Sequence, residues 1–173
     1  MAQLNILFLI YDLERGGPEL RLLDFVRHFP EDIKPHICVT SRHLSLLREF
    51  LREGSDIQVI PVSKGYLEVN KAWKIYEYTK RNHVSIVNTF GLKELLLSVA
   101  VKAFSGGQIK TVHHLVELLD HYGTLQKCIL GALLKVENAV LCNSERSSKL
   151  TKNLCVSENK IKVIKNGINT RIF

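Results

Sequence analysis

Short apolar runs alternate with longer amphipathic segments along the whole chain. The first run, residues 6–11, is too short to span a membrane and has the length of a strand buried on both faces. Six similar runs follow, so the predicted strands cover residues 6–11, 35–40, 57–62, 84–90, 108–113, 138–143 and 161–165. Strands and helices alternating through short connections predict an α/β fold, a doubly wound, Rossmann-like parallel sheet of about seven strands.

The segments between these runs carry apolar residues at helical spacing. Residues 92–104 are apolar on nearly all sides, so we expect this helix to be buried between layers or against another subunit. Two further helices, over residues 69–82 and 125–136, show one-sided patterns. Their predicted apolar faces consist of Val69, Ala72, Trp73 and Tyr76 in the first helix, and of Leu125, Cys128, Ile129, Ala132, Leu133 and Val136 in the second.

In a doubly wound sheet, ligands bind at the carboxyl ends of the strands, near the point where strand order reverses. Gly16 and Gly17 follow the first predicted strand, and Pro18 suits the first position of a helix. Bare backbone N–H groups at such a helix start can hold a phosphate or a carboxylate. A tight turn without a ligand explains the glycine pair equally well, because the G-x-G-x-x-G fingerprint is missing.

Composition narrows the class of protein. With 173 residues, 46% hydrophobic and 24% charged, the chain has the size and make-up of one globular domain. The net charge of +7 fits nucleic acid, anionic lipid or a phosphate-bearing substrate. Four dispersed cysteines indicate a reducing compartment, and the first residues lack the features of a signal peptide. We therefore expect a cytoplasmic protein.

The helix over residues 69–82 also carries basic side chains. Lys71, Lys74, Lys80 and Arg81 are interleaved with aromatic residues and would suit anionic lipid headgroups at the inner face of the membrane. A solvated basic face is the alternative interpretation. Nucleic acid is not expected as a partner, because no nucleic-acid-binding module is present and the aromatics follow the core period.

Three motifs resemble those of a known family. Gly16-Gly17-Pro18-Glu19 resembles the Gly-Gly-x-Glu turn of family 4, GT-B-fold retaining glycosyltransferases, and Thr111-Val112-His113 resembles their Thr-Val-His strand end. Ile164-Lys165-Asn166-Gly167-Ile168-Asn169 is similar to the Asn-Gly-Val-Asp linker between their two domains. The resemblance implies an N-terminal, acceptor-side Rossmann-like domain over residues 1–165 and the start of the interdomain linker at residues 166–173. The C-terminal, donor-binding domain is then absent from this chain.

The resemblance also implies an activity. Such an enzyme transfers a sugar from a nucleotide-sugar donor to a hydroxyl of a sugar or lipid-linked acceptor, here in surface glycan or glycolipid synthesis. It needs no cofactor, and the chain by itself is expected to be inactive because the donor domain is missing. The alternative is a non-catalytic Rossmann-like module that binds a phosphate ligand or another protein.

Site residues follow from the same resemblance. Gly16 and Gly17 are expected to reach the donor phosphate, and His113 is the expected catalytic residue, because a neutral imidazole can accept a proton or orient the acceptor. A structural histidine is the alternative for His113. The expected acceptor-binding residues are Asn88, Thr89, His114, Ser144 and Glu145, although Ser144 would equally cap the following helix. Two positions depart from the family pattern: residues 88–91 stand where many members have a His-rich stretch, and His114 stands where many have Asp. The identity of the acceptor therefore does not follow from the resemblance.

One tract contains residue types that often bind metal ions. His114, Glu117 and His121 are spaced at i, i+3 and i+7. Metal-binding helices usually present ligands at i and i+4, with a third ligand from elsewhere. The tract also follows a strand end, so a polar loop is the preferred interpretation and no metal is predicted.

Overall fold

The computed structural model describes residues 3–61, 68–115, 122–165 and 167. Within them lie the strands β1 (Leu4–Ile10), β2 (Ile33–Val39), β3 (Asp56–Val59), β4 (Val84–Thr89), β5 (Lys110–Leu115), β6 (Ala139–Cys142) and β7 (Ile161–Val163). The helices are α1 (Gly17–His28), α2 (Leu47–Arg52), α3 (Val69–Arg81), α4 (Leu92–Phe104), α5 (Thr124–Val136) and α6 (Glu145–Asn153). A short 3₁₀ turn, Glu158–Lys160, precedes β7.

All seven strands form one parallel sheet in the order β3-β2-β1-β4-β5-β6-β7. The predicted fold class is therefore confirmed. The chain first moves from β1 outward to β3 and then returns to the other side of β1 with β4. Strand order thus reverses between β1 and β4, which places the expected ligand crevice at the carboxyl ends of these two strands.

Side chains of β1 alternate between the two faces of the sheet, as the period of a strand requires. Phe8 and Ile10 pack with residues of α1 and α2, whereas Leu7 and Leu9 pack with residues of α3 and α4. A third apolar cluster joins α4, α5 and the strands β5 to β7. As expected from its composition, α4 is buried between layers, in contact with the sheet and with α3 and α5.

The predicted apolar face of α5 was wrong except for Leu133, which is partly buried against the third cluster. The structure buries Leu130, Gly131 and Leu134 and leaves Leu125, Cys128, Ile129, Ala132 and Val136 exposed. Periodicity could not choose the buried face because α5 is apolar on more than one side. Its rotation is fixed by a close approach: a Cβ added to Gly131 would lie only 3.0 Å from the Leu154 carbonyl oxygen.

The predicted apolar face of α3 was wrong in part. Ala72 is buried, as expected, but the other buried residues of α3 are Ile75 and Thr79. Trp73 is 48% exposed and packs on Tyr76 and Phe104 at ring-centroid distances of 5.4 and 5.3 Å. A large aromatic ring can cover the edge of a core without entering it, so its spacing alone does not establish burial.

Candidate functional site

An open cleft of about 450 Å³ lies at the carboxyl end of the sheet, where strand order reverses. Its walls come from the strand ends at Ile10, Tyr11 and Phe90, from the helix starts at Pro18, Glu19 and residues 91–94, and from Tyr122 and Gln126 at the start of α5. The Lys93 ammonium lies 5.8 Å from the centre of the Tyr11 ring, so the β1 side and the α4 side meet across the cleft.

The start of α1 forms one wall. The Gly16 N–H donates to the Glu14 carbonyl at 3.0 Å, so this amide is already used within the turn. The Glu19 side chain folds back over Gly16, because a Cβ added to Gly16 would collide with Glu19 Oε2. Gly17, in contrast, is exposed and has free space around the position of a Cβ. Of the two glycines, Gly17 is therefore the one whose backbone a ligand can approach, but neither glycine is among the residues that line the cleft, which begin at Pro18 on this side. Their donor-binding role stays a prediction.

The Glu19 carboxyl is half-buried beside the cleft. Burial raises the pKa of Glu19, and the negative charge of Asp12 raises it further. A hydrogen bond from the backbone N–H of Glu19 itself acts in the opposite direction. Negative charge in the first turn of a helix is favourable because the bare N–H groups point toward it. Glu19 thus supplies from within the chain the kind of group that the helix start could also accept from a ligand.

The start of α4 forms the opposite wall with the same spacing. Gly91 is the N-cap and Glu94 follows three residues later, as Glu19 follows Gly16. Glu94 is only 2% exposed, and its Oε1 accepts a 2.5 Å hydrogen bond from the buried Thr40 hydroxyl. A Cβ added to Gly91 would collide with Glu94 Oε2. Sequence analysis missed Glu94, although the repeated Gly-x-x-Glu spacing was a signal that could have found it.

His113 lies on β5 beneath this wall. It is 3% exposed, and its Nδ1 is 2.8 Å from the hydroxyl of Thr89, its register neighbour on β4. Burial, and to a smaller extent the charge of His114, lowers the pKa of His113 to about 3, so the ring is neutral. His113 is on the same edge of the sheet as Gly17 but is not part of the cleft wall. Its catalytic role stays a prediction.

His114 points to the opposite face, as strand alternation predicts. Its ring stacks on Phe90 at a centroid distance of 4.6 Å and lies 6.0 Å from Phe25 of α1. Burial and the charge of Arg21 lower the pKa of His114 to about 3, and its Nδ1 is buried without a hydrogen-bond partner. His114 therefore links α1 to the residue that precedes Gly91, underneath the cleft.

The remaining predicted acceptor residues lie along the same edge of the sheet. Asn88 is buried, and its Oδ1 makes no hydrogen bond. Ser144 accepts a hydrogen bond from the Ser147 N–H at 3.1 Å, so the capping interpretation is confirmed. Glu145 is exposed in the first turn of α6. The cleft walls include none of Asn88, Thr89, His114, Ser144 and Glu145, and their acceptor-binding roles stay predictions.

The segment after β7 returns to the cleft side of α1. Arg21 donates from Nη2 to the Ile164 carbonyl at 3.1 Å, and its guanidinium lies 5.2 Å from the centre of the Phe25 ring. The segment that leads into the predicted linker is thus held against the helix that carries Gly17. Of the linker residues 166–173, only Gly167 is among the described residues.

The described part of the chain also bears on the predicted metal tract, on membrane-spanning helices and on the basic helix. No group of three His, Cys, Asp or Glu side chains there could hold a metal ion, and Glu117 and His121 lie outside the described residues. None of the helices described is both long and apolar enough to cross a membrane. The basic residues Lys71, Lys74 and Arg81 line a second groove of about 270 Å³ beside β3.

A doubly wound parallel sheet with an open cleft at the strand reversal defines a Rossmann-like domain. The chain belongs to Glycosyltransferase Family 4, whose family model matches residues 15–172. The resemblance to the N-terminal domain of a GT-B glycosyltransferase is thereby confirmed. No curated protein matches the chain in sequence.

Solved glycosyltransferase structures share the fold. Anabaena Alr3699/HepE in complex with UDP and glucose superposes with a TM-score of 0.81 at 16% identity, covering 98% of this chain and 46% of that chain. A glycosyltransferase from Rickettsia africae ESF-5 gives a TM-score of 0.72 at 20% identity, with coverages of 96% and 44%. The apo form of the lipopolysaccharide outer core galactosyltransferase WaaB gives 0.75 at 16% identity, with coverages of 95% and 46%. The chain therefore spans a little under half the length of these structures.

Proposed function

We propose that this chain is the acceptor-side part of a retaining glycosyltransferase. The enzyme would move a sugar from a nucleotide-sugar donor to a hydroxyl of a sugar or lipid-linked acceptor, in the synthesis of a surface glycan or glycolipid. The observation that carries the proposal is the cleft between two helix starts at the strand reversal of a family 4 chain. The complex of Anabaena Alr3699/HepE with UDP-glucose supports a nucleotide-sugar donor.

Gly17 is the residue we assign to the donor phosphate. Glycosyl transfer builds negative charge on the departing diphosphate, and fixed N–H donors at a helix start stabilise such charge. Gly17 is exposed, and the space that a Cβ would occupy there is open. Gly16 would act indirectly, by leaving room for the Glu19 carboxyl that folds over it.

The polar groups of the cleft wall would bind the acceptor. Glu19, Gln126 and Tyr11 can all hydrogen-bond to sugar hydroxyls, and the aromatic and aliphatic residues between them would cover the apolar faces of a sugar ring. His113 would orient the acceptor side of the site through Thr89 rather than take a proton. With a pKa of about 3 it is a weak base at neutral pH.

We place the protein on the cytoplasmic side of the membrane, with a peripheral contact to its inner face. The four cysteines are free, with Cys38 and Cys142 buried, which supports a reducing compartment. The lysines of the second groove and a bilayer of anionic lipid have complementary charges. We expect these 173 residues by themselves to bind weakly and not to turn over, because they span less than half the length of the glycosyltransferase structures that they match.

The test is a donor and acceptor screen with the full-length gene product. Gly17→Val should reduce transfer, because a β-branched side chain would stand where the diphosphate approaches, and His113→Ala should reduce it by disturbing the Thr89 contact. Asn70→Val, at an exposed position in the first turn of α3, is the matched control. Transfer unchanged by both site substitutions would contradict the site assignment. Donor binding without transfer to any acceptor would favour a non-catalytic binding module.

A further inference from the structure

Lys93 brings a positive charge to the wall of the cleft. It is the second residue of α4 and is half-buried. Among the described residues that line the cleft, no other has a basic side chain. The ion pairs between described side chains do not include Lys93. Its ammonium group is therefore available to a ligand in the cleft.

The charge of Lys93 contributes little to the fold. The first turn of a helix carries a partial positive charge, so a cation there is disfavoured. The contact with the Tyr11 ring acts in the opposite direction, but its distance of 5.8 Å is close to the limit of a cation–π interaction, and Tyr11 is 50% exposed. Both effects are small and they oppose each other. A neutral side chain would serve the fold equally well, so the charge calls for another explanation.

The two walls of the cleft present opposite charges to a ligand. On the α4 side, Glu94 is turned into the protein and bonded to Thr40, which leaves Lys93 as the charged group that faces the cleft. On the α1 side, the half-buried Glu19 lines the cleft. A carboxyl group suits sugar hydroxyls, whereas the ammonium group and the partial positive charge of the α4 start both attract an anion.

We propose that Lys93 is a specificity-determining residue that binds an anionic group of the acceptor, so that the acceptor is a sugar carrying a phosphate or a carboxylate. This rests on the proposed function, because glycosyl transfer is what brings an acceptor to the cleft. The Lys93 ammonium donates to an anionic oxygen, while Glu19 and Gln126 bind hydroxyls of the same sugar. The cleft volume of about 450 Å³ is within the range of small-molecule sites.

The donor diphosphate is the other anion that this reaction supplies. Its assigned position is the start of α1 at Gly17, which belongs to the other helix start and does not line the cleft. Lys93, in contrast, lines the cleft together with the polar groups assigned to the acceptor. The acceptor is therefore the better match for Lys93, and kinetics with both substrates separate the two sources.

The first experiment compares acceptors with the full-length gene product. Each sugar of the acceptor screen is offered as a neutral methyl glycoside, as its uronic acid and as its 6-phosphate. Wild type should prefer a charged form. Lys93→Gln should raise the KM for that acceptor by about ten- to hundredfold, because a charge-assisted hydrogen bond is lost, and leave the KM for the donor unchanged. Lys93→Arg should restore most of the affinity.

The matched control is Lys149→Gln, at an exposed position of α6, which should leave both KM values unchanged. Three results would overturn the proposal. They are a wild type that uses the neutral form as well as the charged ones, a Lys93→Gln variant with an unchanged KM for the acceptor, and a rise in the KM for the donor alone. The last result would assign Lys93 to the donor diphosphate.

A second measurement needs no activity. The full-length gene product is treated with a limiting amount of an amine-acetylating reagent, and modification of Lys93 and Lys149 is compared by peptide mass analysis. Glucose 6-phosphate or glucuronate should protect Lys93, glucose at the same concentration should not, and Lys149 should react equally in all samples. Protection of Lys93 in a protein that transfers no sugar would support the anion site while contradicting the proposed function.

Two outcomes of the acetylation experiment would overturn the proposal. Lys93 that reacts equally with and without both anions does not bind them. Lys93 that is already unreactive without any ligand is covered by another group of the protein, and its charge is then not available to an acceptor. Transfer of sugar by a protein with either behaviour would leave the proposed function in place and remove only the role of Lys93.

Discussion

Two helix starts face each other across the cleft, and they use the same local sequence in different ways. Gly16 and Glu19 begin α1 with the spacing that Gly91 and Glu94 use in α4, and in both the carboxylate folds over the glycine. Glu94 is buried and held by Thr40, whereas Glu19 is half-buried at the cleft wall. The shared spacing fixes the local geometry at both helix starts, while the position in the sheet decides that Glu94 is buried against Thr40 and that Glu19 lies half-buried at the cleft wall.

The largest expected effect concerns His114, which joins the two helix starts from below. Its folded-state pKa of about 3 lies below the ordinary value of 6.5, so the unfolded chain binds the extra proton first. The stability it contributes is complete above pH 6.5 and is lost as pH falls toward 3. Between pH 7.5 and pH 4.5, the free energy of unfolding of the wild type should fall by about 2–3 kcal/mol more than that of His114→Phe.

The measurement is urea unfolding of both proteins across this pH range. Burial raises the pKa of Glu137 to about 7, so this carboxyl contributes stability that increases as pH falls, opposite to His114. Because both proteins contain Glu137, this contribution cancels in the difference. Phe is the matched replacement because the His114 ring already stacks on Phe90 and meets Phe25 at a tilted angle. Parallel pH profiles would show that His114 does not titrate differently on folding.

The second prediction removes the buried carboxylate. Glu94→Ala should lower the free energy of unfolding by about 2 kcal/mol, because it leaves a cavity and deprives the Thr40 hydroxyl of its partner. Glu19→Ala, at the half-buried counterpart, should cost less than about 1 kcal/mol. Glu94→Gln keeps an acceptor and serves as the conservative control. Equal losses at Glu19 and Glu94 would remove the distinction between the two helix starts.

The third prediction tests the two N-cap glycines. A methyl group at either position would meet a glutamate carboxylate, but only Glu19 has open space into which it can turn. Gly91→Ala should therefore destabilise the fold by about 1–2 kcal/mol, and Gly16→Ala by about 0.5 kcal/mol or less. Thermal unfolding of both variants checks this order. The reverse order would indicate that Glu94 is less firmly held than its contact with Thr40 suggests.

The different roles of these two starts could not be predicted from the sequence. The seven strands could be predicted because short, mostly apolar runs alternate with segments of helical spacing, a pattern that needs no knowledge of which strands are neighbours. Glu94, in contrast, looks like a surface residue in an apolar helix. Its burial depends on Thr40, which is 54 residues away and comes close only because β2 and β4 flank β1.

The same limit explains the error in α5. Its apolar residues allow more than one buried face, and the choice depends on the approach of Gly131 to the Leu154 carbonyl of another element. For the candidate site, the edge of the sheet and the Gly16-Gly17 turn were predictable because parallel strands end together. The walls of the cleft were not, since strand order was left open by the sequence.

The smallest expected change in stability is at Gly17. This position tests whether the start of α1, unlike the start of α4, binds a ligand. Nothing lies within 4 Å of a Cβ at Gly17, so Gly17→Ala should change the free energy of unfolding by less than about 0.5 kcal/mol. If Gly17 approaches the donor phosphate, the same methyl group should still lower nucleotide-sugar affinity in the full-length gene product, measured by calorimetry. Gly16→Ala should affect binding less, because its amide is already bonded to Glu14. Equal affinity in wild type and Gly17→Ala would mean that the open helix start, like the buried one, serves only the fold.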